Sequence, residues 1–285
     1  MIDELITEQN LNRAYLKVYR NKGMGGIDGI QTDELKSHLQ AYGQFYIQQI
    51  ERGSYRVSPI LGLEIFKSKG KTRRLGIPTV VDSVFQQALH QVLQPVFESD
   101  FHQHSYGFRQ GGNAHQALGQ SLSNINSGFQ DIVDIDLQSF FDEVEHYILL
   151  ELIYKKVKCP IILKLLRSFL KAPIQINGKL NKRRKGLPQG SPLSPLLSNI
   201  LLNELDKELE KRGHRFVRYA DDFSIYVKSK SAAKRVLESI HQFLQRQLKL
   251  PINKDKSGIR RPSTFKVLGH GFTPTYKKGE ISTSG

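Results

Sequence analysis

Two adjacent carboxylates stand at the centre of RYADDFSIYV, residues 218–227, a stretch that otherwise has the composition of a β-hairpin. A chain that needs only a tight turn commonly uses Asn-Gly or Asp-Gly, whereas the charges of Asp221 and Asp222 repel each other. A cation between the two side chains would relieve this repulsion. The pair therefore indicates a metal site at a hairpin turn.

A second acidic segment, IVDIDLQSFF, alternates between apolar and acidic residues. In a strand, Val133, Ile135 and Leu137 would face one way, and Asp134 and Asp136 would face a wet side. If this strand lies beside the hairpin, three carboxylates converge, and carboxylate oxygens are ligands that Mg²⁺ prefers. Two such ions promote in-line phosphoryl transfer. Each aspartate taken singly is better explained as a solvated strand-edge or turn charge, but that explanation does not account for the group.

The amino-acid composition limits the kinds of binding partner that this chain is expected to have. The 285 residues carry 42 Lys and Arg against 27 Asp and Glu, a formal charge of +15, which favours a polyanion such as nucleic acid or an anionic membrane. The single cysteine, Cys159, excludes an internal disulfide, and no Cys/His spacing is typical of zinc. The N-terminus lacks a signal-peptide pattern, and no apolar run approaches a membrane span. We therefore expect a cytoplasmic protein with a nucleic-acid partner and no membrane partner.

Apolar periodicity predicts the elements that position these residues. Helices are expected near residues 10–21, 79–97, 194–212 and 231–249, and two short strands joined by a Lys/Gly turn are expected within 63–78. Strands and helices mix without a regular βαβ alternation. This pattern indicates the α+β class, with an antiparallel sheet backed by helices.

Four separate motifs resemble those of a known family. RYADDF, DIDLQSFFDEVEH, GLPQGSPLSPLLSNILLNELD and VLGHGF occur in the order expected of a reverse transcriptase, and their detail is similar to the group II intron-encoded type. Upstream, NLNRAYLKVYRNKGMGGIDGI and SYGFRQGGNAHQAL resemble its N-terminal and fingers segments. The matching motifs run from about residue 10 to residue 272.

The resemblance implies the fingers and palm of a right-hand polymerase. Residues 1–84 would form the first part of the fingers, 85–144 the first part of the palm, 145–186 the second part of the fingers, and 187–285 the rest of the palm up to the primer grip. The thumb is apparently absent, because the residues that follow Phe272 are too few for a packed helical unit.

The resemblance also implies catalytic roles. Asp136 and Asp221 would be the principal ligands of two Mg²⁺ ions, Asp222 would complete the acidic turn, and the Leu137 carbonyl would add an oxygen. Phe141 lies five positions after Asp136, at the place of the bulky residue that blocks a ribose 2′-hydroxyl in this family. On residue type alone, a core aromatic beside Phe140 would be the preferred interpretation of Phe141, and its position in the motif reverses that preference.

Further positions match substrate-binding residues of the family. Gln189 and Gly190 would lie beside the incoming nucleotide and template, where glycine lets the backbone approach the bases closely. Lys67 and Arg73 match residues of the fingers that grip the triphosphate. Lys256 resembles a lysine near the leaving pyrophosphate, where it would act as a general acid.

Other positions imply contacts to nucleic acid. Arg109 lies in the SYGFRQ segment, and Leu268 and Gly269 lie in the VLGHGF segment that resembles the primer grip. After an Asn177-Gly178 turn, a basic segment is either a hairpin tip that tracks phosphates or a solvated one. Its candidate residues are Lys182, Arg183, Arg184 and Lys185.

The sequence thus predicts an RNA-directed DNA polymerase of the group II intron type. Its expected partners are an RNA template, a DNA primer, dNTPs and structured intron RNA bound as a maturase, and an exposed apolar palm surface would favour a homodimer. One alternative is a non-catalytic intron RNA-binding splicing factor. The other is an RNA-dependent RNA polymerase, which would usually carry a small polar pair where Phe141 and its neighbours stand.

Overall fold

The computed structural model describes residues 1–67, 71–272 and 281–282, and the side chains of 66, 67, 71–73, 281 and 282 lie outside this description. The chain divides into two compact units. Unit 1 comprises Met1–Ser99 and Val144–Leu197, and unit 2 comprises Asp100–Glu143 and Ser198–Gly285. Each unit is therefore built from two separate pieces of the chain. The assignment of fingers and palm to the predicted ranges stays a prediction.

Groups of one to three helices are separated by strands along the described chain. They are α1 (Ile2–Leu5), α2 (Glu8–Asn21), α3 (Leu35–Glu51), α4 (Val80–Glu98), α5 (Ala114–Asn126), α6 (Phe140–Glu143), α7 (His146–Lys156), α8 (Pro160–Lys171), α9 (Ser194–Lys211) and α10 (Lys230–Phe243). A π-helical turn at Leu244–Leu248 continues α10, and a 3₁₀ turn covers Pro262–Thr264. The four predicted helices are confirmed.

The strands are mostly short. They are β1 (Ile60–Lys67), β2 (Lys71–Ile77), β3 (Asp131–Ile135), β4 (Ile174–Ile176), β5 (Lys179–Asn181), β6 (Arg215–Tyr219), β7 (Asp222–Val227), β8 (Gly258–Arg260), β9 (Lys266–Val267), β10 (His270–Phe272) and β11 (Ile281–Ser282).

Unit 1 contains a sheet of order β2-β1-β4-β5, in which only the β1–β4 pair is parallel. Helix α4 supplies much of its core. The helix begins at a buried polar cluster, where the hydroxyl of Thr79 accepts a hydrogen bond from the Asp82 backbone N–H at 3.1 Å. The Asp82 carboxylate accepts hydrogen bonds from the hydroxyls of Tyr55 and Thr79 and from the Ser58 N–H, at 2.8, 2.9 and 3.0 Å. This N-terminal cap anchors the chain segment before β1 to α4.

Unit 2 contains a sheet of order β6-β7-β3-β8, in which all pairs are antiparallel. Helix α10 packs on β3, β7 and β8, and α5 packs on β6. A second, three-stranded sheet has the order β11-β10-β9. The mixed helices and mainly antiparallel sheets confirm the α+β class.

One detail of β3 differs from the prediction. The side of the strand opposite Val133 and Ile135 is not wet along its length, because Ile132 is fully buried with Tyr226 and Phe265 in an apolar cluster. Only the end of β3 that carries Asp134 and Asp136 opens to solvent. Within the described part of the chain, no helix is long and apolar enough to cross a membrane.

Candidate active site

The predicted acidic hairpin is confirmed, and its loop has two residues. Strands β6 and β7 pair up to Tyr219 and Asp222, so Ala220 and Asp221 alone form the loop. Ala220 has a φ of +57°, in the left-handed region that costs a residue with a Cβ about 1–2 kcal/mol. The turn therefore holds Asp221 and Asp222 in fixed places at a local cost in backbone energy.

The register of β3 against β7 brings the third carboxylate to the same place. Asp134 pairs with Ser224 and Ile135 pairs with Phe223, so Asp136, the residue that follows β3, comes close to Asp222 at the start of β7, and both line one cavity. Like charges held this close repel each other. The geometry thus concentrates negative charge at one end of this sheet.

A loop that precedes β8 fixes the backbone of Asp136. The Asp136 carbonyl accepts a hydrogen bond from the Asn253 N–H at 2.8 Å, and its own N–H donates to the Ser257 hydroxyl at 3.0 Å. Leu137 forms an isolated antiparallel bridge with Ile252. The two hydrogen bonds of this bridge run from the Asn253 N–H to the Asp136 carbonyl and from the Gln138 N–H to the Pro251 carbonyl. The Leu137 carbonyl is not used in that bridge.

Asp136 and Asp222, but not Asp221, line a cavity of about 300 Å³ in unit 2. Asp134, Asp136 and Asp222 share its wall with Lys256, whose Nζ lies 3.2 Å from Oδ2 of Asp136. The wall also contains Leu268 and Gly269. These two residues form the turn between β9 and β10 with φ angles of +51° and +83°, which confirms the predicted Gly-containing hairpin.

The pKa values of two aspartates record this crowding of charge. Burial raises the pKa of Asp134 to about 6, and the charges of Asp222 and Asp136 add to this rise against the opposing effect of Arg260. The pKa of Asp222 is also raised, first by desolvation and then by the charges of Asp221 and Asp136, while Lys256 opposes the rise. Asp222 is exposed overall. The desolvation that raises its pKa therefore acts on the carboxyl group where it lines the cavity.

The donor chemistry of this cluster suits a divalent cation. Among the described residues, no three His, Cys, Asp or Glu side chains lie close enough together to hold one ion as they stand. Asp136, Asp221 and Asp222 nevertheless offer hard oxygen ligands, and the effect of Asp136 and Asp221 on the pKa of Asp222 shows that the three charges interact. A bound cation would remove this repulsion, so these residues fit magnesium in charge and ligand type.

A buried ion pair braces the acidic turn, and the sequence did not reveal it. The side chains of Arg218 on β6 and Asp206 on α9 are both fully buried, and Nη2 of Arg218 lies 2.6 Å from Oδ2 of Asp206. The Arg218 guanidinium also donates to the Asn199 side chain and to the Ala220 carbonyl, each at 2.9 Å. Because Ala220 is the residue with the left-handed backbone conformation, the hydrogen bond to its carbonyl helps to hold the turn in its strained form.

Gly107 packs against the same turn. A Cβ added at Gly107 would lie 2.2 Å from the Ala220 nitrogen, which leaves no room for any other residue. The Gly107 carbonyl accepts a hydrogen bond at 3.0 Å from the side-chain amide of Asn199. The SYGFRQ segment therefore supports the acidic turn from outside the hairpin.

Phe141 lies in the short helix α6, two residues beyond Ser139, which has a φ of +48°. Its ring contacts that of Phe140 edge-on at a centroid distance of 5.2 Å. Phe140 is 2 % exposed and belongs to the core, whereas Phe141 is half-buried. The neighbour therefore fills the core position, and Phe141 keeps an accessible face.

Other predicted residues belong to unit 1. The Gln189 carbonyl accepts a hydrogen bond from the Gly76 N–H at 2.8 Å. Gly190 has a φ of +121°, and a Cβ there would lie 2.8 Å from the Gly76 carbonyl oxygen, so packing on β2 alone already requires glycine. Lys67 and Arg73 lie on the β1–β2 hairpin, but their side chains are outside the described part of the structure.

Arg109 has structural partners. Its Nη1 donates to the carbonyls of His102 and Ser105, both at 2.7 Å, and its guanidinium lies 5.5 Å from the Phe101 ring centroid. These bonds stabilise the loop before α5, so the structure gives this side chain a role that needs no nucleic acid.

The basic segment requires a correction of position. Asn177 and Gly178, with φ angles of +49° and +77°, form the confirmed turn between β4 and β5, so they are the hairpin tip. The basic residues instead follow β5, because the strand ends at Asn181. Arg183 is half-buried and donates to the Gly186 carbonyl at 2.5 Å, whereas its basic neighbours Lys182, Arg184 and Lys185 are exposed.

Comparison with known proteins agrees with this architecture. The family model described as reverse transcriptase (RNA-dependent DNA polymerase) matches residues 65–272. Protein YkfC of Escherichia coli (strain K12) is 31% identical over 86% of this chain and 74% of its own length. The group II intron-encoded protein LtrA of Lactococcus lactis subsp. cremoris is 34% identical over 64% of this chain.

The chain spans only 30% of the length of the LtrA protein. Among solved structures, apo telomerase from Candida tropicalis matches 82% of this chain and 50% of its own with a TM-score of 0.59 at 14% identity, which shows a shared fold. The group II intron-encoded type recognised from the motifs is confirmed by the relatives that carry that name. The chain belongs to the reverse transcriptase family.

Proposed function

We propose that this chain catalyses RNA-directed DNA synthesis, adding deoxynucleotides to a DNA primer on an RNA template. The observation that carries the proposal is the pairing of β3 with β7, which brings Asp136, just after β3, close to Asp222 and its neighbour Asp221. The turn of the predicted primer grip, Leu268–Gly269, lines the same cavity. A primer end held at this turn would lie next to the carboxylates.

Reverse transcriptases generally use divalent metal ions. In our proposal, Asp136 and Asp221 hold two Mg²⁺ ions, and Asp222 and the Leu137 carbonyl supply further oxygen. The ions would supply activation of the primer 3′-hydroxyl and stabilisation of the leaving oxygen. The chain's own contribution is to fix the carboxylates, through the Arg218 network and through the bonds from Asn253 and Ser257.

Lys256 is suited to handle the leaving group. Its Nζ lies 3.2 Å from the Asp136 carboxylate. This ion pair holds the Lys256 ammonium group at the wall of the cavity. We assign to Nζ the donation of a proton to the pyrophosphate as it leaves, a general-acid role that also places positive charge near the developing negative charge.

The accessible face of Phe141 would exclude the 2′-hydroxyl of a ribonucleotide by steric contact. This role separates the proposal from an RNA-dependent RNA polymerase, which must accept that hydroxyl. Gln189 and Gly190 would contact the nucleotide and template, and Lys67 and Arg73 would bind the triphosphate.

A maturase role is a second proposal, that this chain also binds structured intron RNA. Its support is the similarity to a group II intron-encoded protein and the formal charge of +15. The alternative of a splicing factor without catalysis predicts the same RNA binding but no primer extension.

Primer extension tests the principal proposal directly. A labelled DNA primer is annealed to matched RNA and DNA templates and is incubated with Mg²⁺ and either dNTPs or NTPs. We expect extension on RNA with dNTPs, abolished by EDTA and restored by excess Mg²⁺. Extension with NTPs alone would favour the RNA polymerase, and RNA binding without any extension would favour the splicing factor.

A further inference from the structure

A second cavity of unit 2 lies at the opposite end of the β6–β7 hairpin from the acidic turn. Its volume is about 440 Å³. Arg215 at the start of β6, Lys228 just after β7, and Phe129 before β3 line it, together with Ala232 and Arg235 of α10. We call this cavity, defined by these five residues, the basal pocket. The six residue-to-residue steps from Asp222 to Lys228 span roughly 20 Å at 3.3 Å per step, so the basal pocket is distinct from the cavity that Asp136 and Asp222 line.

The basal pocket combines an aromatic ring with cations. The guanidinium carbon of Arg215 lies 4.3 Å, and Nζ of Lys228 lies 5.1 Å, from the ring centroid of Phe129. Both distances are within the range of cation–π attraction. The half-buried ring thus holds two positive groups beside one concavity.

The charge of the basal pocket is uncompensated. Over residues 1–67, 71–272 and 281–282, none of Arg215, Lys228 and Arg235 forms an ion pair with a carboxylate, and all three are exposed. Arg212 differs from these three residues because it forms an ion pair, in which its Nη2 lies 2.6 Å from Oε1 of Glu208. Helix α10 adds to the positive field, because Ala232 in its first turn lines the pocket and helix N-termini carry partial positive charge.

This combination is what a strand of nucleic acid requires. Exposed cations that are fixed around a concavity bind successive phosphates, and the Phe129 ring holds two of these cations in place through its cation–π contacts. A role in stability alone explains the cation–π contacts, but it does not explain why Arg235, which makes no ring contact among the described residues, faces the same concavity.

We propose that the basal pocket binds the sugar-phosphate backbone of a single nucleic-acid strand, outside the catalytic cavity. It would hold a length of template or intron RNA that is not being copied. The proposal goes beyond polymerase activity and would stand even if the chain did not extend primers.

The test compares two triple variants that each remove three positive charges from unit 2. The first is Arg215→Ala, Lys228→Ala and Arg235→Ala. The matched control, Lys211→Ala, Lys234→Ala and Arg246→Ala, removes exposed cations that form no ion pair among the described residues and do not line the basal pocket. Fluorescence anisotropy measures the Kd of labelled 20-nucleotide U and dT strands over a series of KCl concentrations, and circular dichroism confirms that both variants are folded.

We expect the first variant to raise Kd at least about tenfold for one or both strands and to reduce the slope of log Kd against log salt by about 2, since each lost single-strand phosphate contact removes about 0.7. The control should change Kd less than about threefold. Equal effects of the two variants would overturn the proposal. Equal weakening of poly-aspartate binding would also overturn it, because the pocket would then recognise charge alone. Extension of a saturating short primer-template should stay at the parent rate.

Discussion

Asp221 is the residue that the proposed chemistry needs most. It occupies a two-residue loop, and its charge helps to raise the pKa of Asp222. Asp221→Asn would remove a proposed metal ligand and one of the repelling charges. We expect primer extension to fall at least about 10³-fold, since a metal ion supplies several kcal/mol of transition-state stabilisation.

The melting temperature of Asp221→Asn in EDTA should equal or exceed that of the parent, because repulsion is reduced without metal. Normal extension by this variant in Mg²⁺ would refute the assignment. A collapse of the melting temperature would instead show that the carboxylate has a structural role.

Phe141 provides the test of sugar selection. Its half-buried ring can be shortened without opening the core, because Phe140 fills the core position. We expect Phe141→Ala to incorporate ribonucleotides at least about tenfold better relative to dNTPs, while Phe141→Tyr, which keeps the bulk, behaves like the parent. The ratio of kcat/KM for dNTP and NTP measures this. An unchanged ratio in the alanine variant would assign the selection to another residue.

Asp82 should make stability depend on pH. Burial raises its pKa to about 6 from an ordinary value of 3.8, although three hydrogen bonds oppose the rise. The folded state therefore binds the proton more tightly than the unfolded state, and the contribution of Asp82 to stability falls as pH rises between these two values. The difference in pKa corresponds to roughly 3 kcal/mol.

The variant Asp82→Asn cannot titrate and isolates this effect. Urea unfolding at several pH values between 4 and 7.5 should show the parent losing stability relative to the variant as pH rises, with little further change above about pH 7. A constant difference between the two proteins would mean that Asp82 has an ordinary pKa.

The acidic hairpin depends on its neighbour before α5. Gly107→Ala would force a Cβ to within 2.2 Å of the Ala220 nitrogen, so the turn must move. We expect a loss of primer extension of at least about tenfold, since a displacement of about 1 Å can cost about 10²-fold in rate.

A matched control lies in the same unit. Gly119 is inside α5, and a Cβ there would meet open space. Gly119→Ala should retain activity and gain about 0.5–1 kcal/mol of stability, which chemical denaturation measures. Parent activity in Gly107→Ala would show that the position of the turn is not critical.

Local signals explain which elements were predictable. The Asn177-Gly178 turn, the Leu268-Gly269 turn and the acidic hairpin are set by neighbouring residues, and strand alternation placed Asp134 and Asp136 on one side. Asp134 lines the same cavity as Asp136. The strand alternation therefore already indicated that Asp134 belongs to the acidic site.

Long-range pairing was not predictable. Arg218 and Asp206 lie on a strand and a helix, and nothing in their spacing shows that both become fully buried as a pair. The hydrogen bond from Gly76 to Gln189 likewise joins distant segments. Such partners are decided by tertiary packing, for which one sequence gives no direct signal.

Each compact unit needs two distant pieces of chain, and this gives a prediction about fragments. In unit 1, β1 pairs with β4, and α3 packs on α8. A fragment of residues 1–143 should therefore be digested rapidly by a nonspecific protease, whereas residues 1–197, which contain all of unit 1, should yield a resistant core. Similar resistance of the two fragments would show that the first piece folds alone.

The same interleaving affects synthesis on the ribosome. At about 5–20 residues per second, roughly 5–20 s separate the emergence of Ser99 from that of Leu197. During this interval β1 lacks β4, and the nascent chain presents an unpaired strand edge. Production of this protein should therefore benefit from added chaperones, which cover the exposed strand edge during this interval, whereas slower translation should increase aggregation because it lengthens the interval.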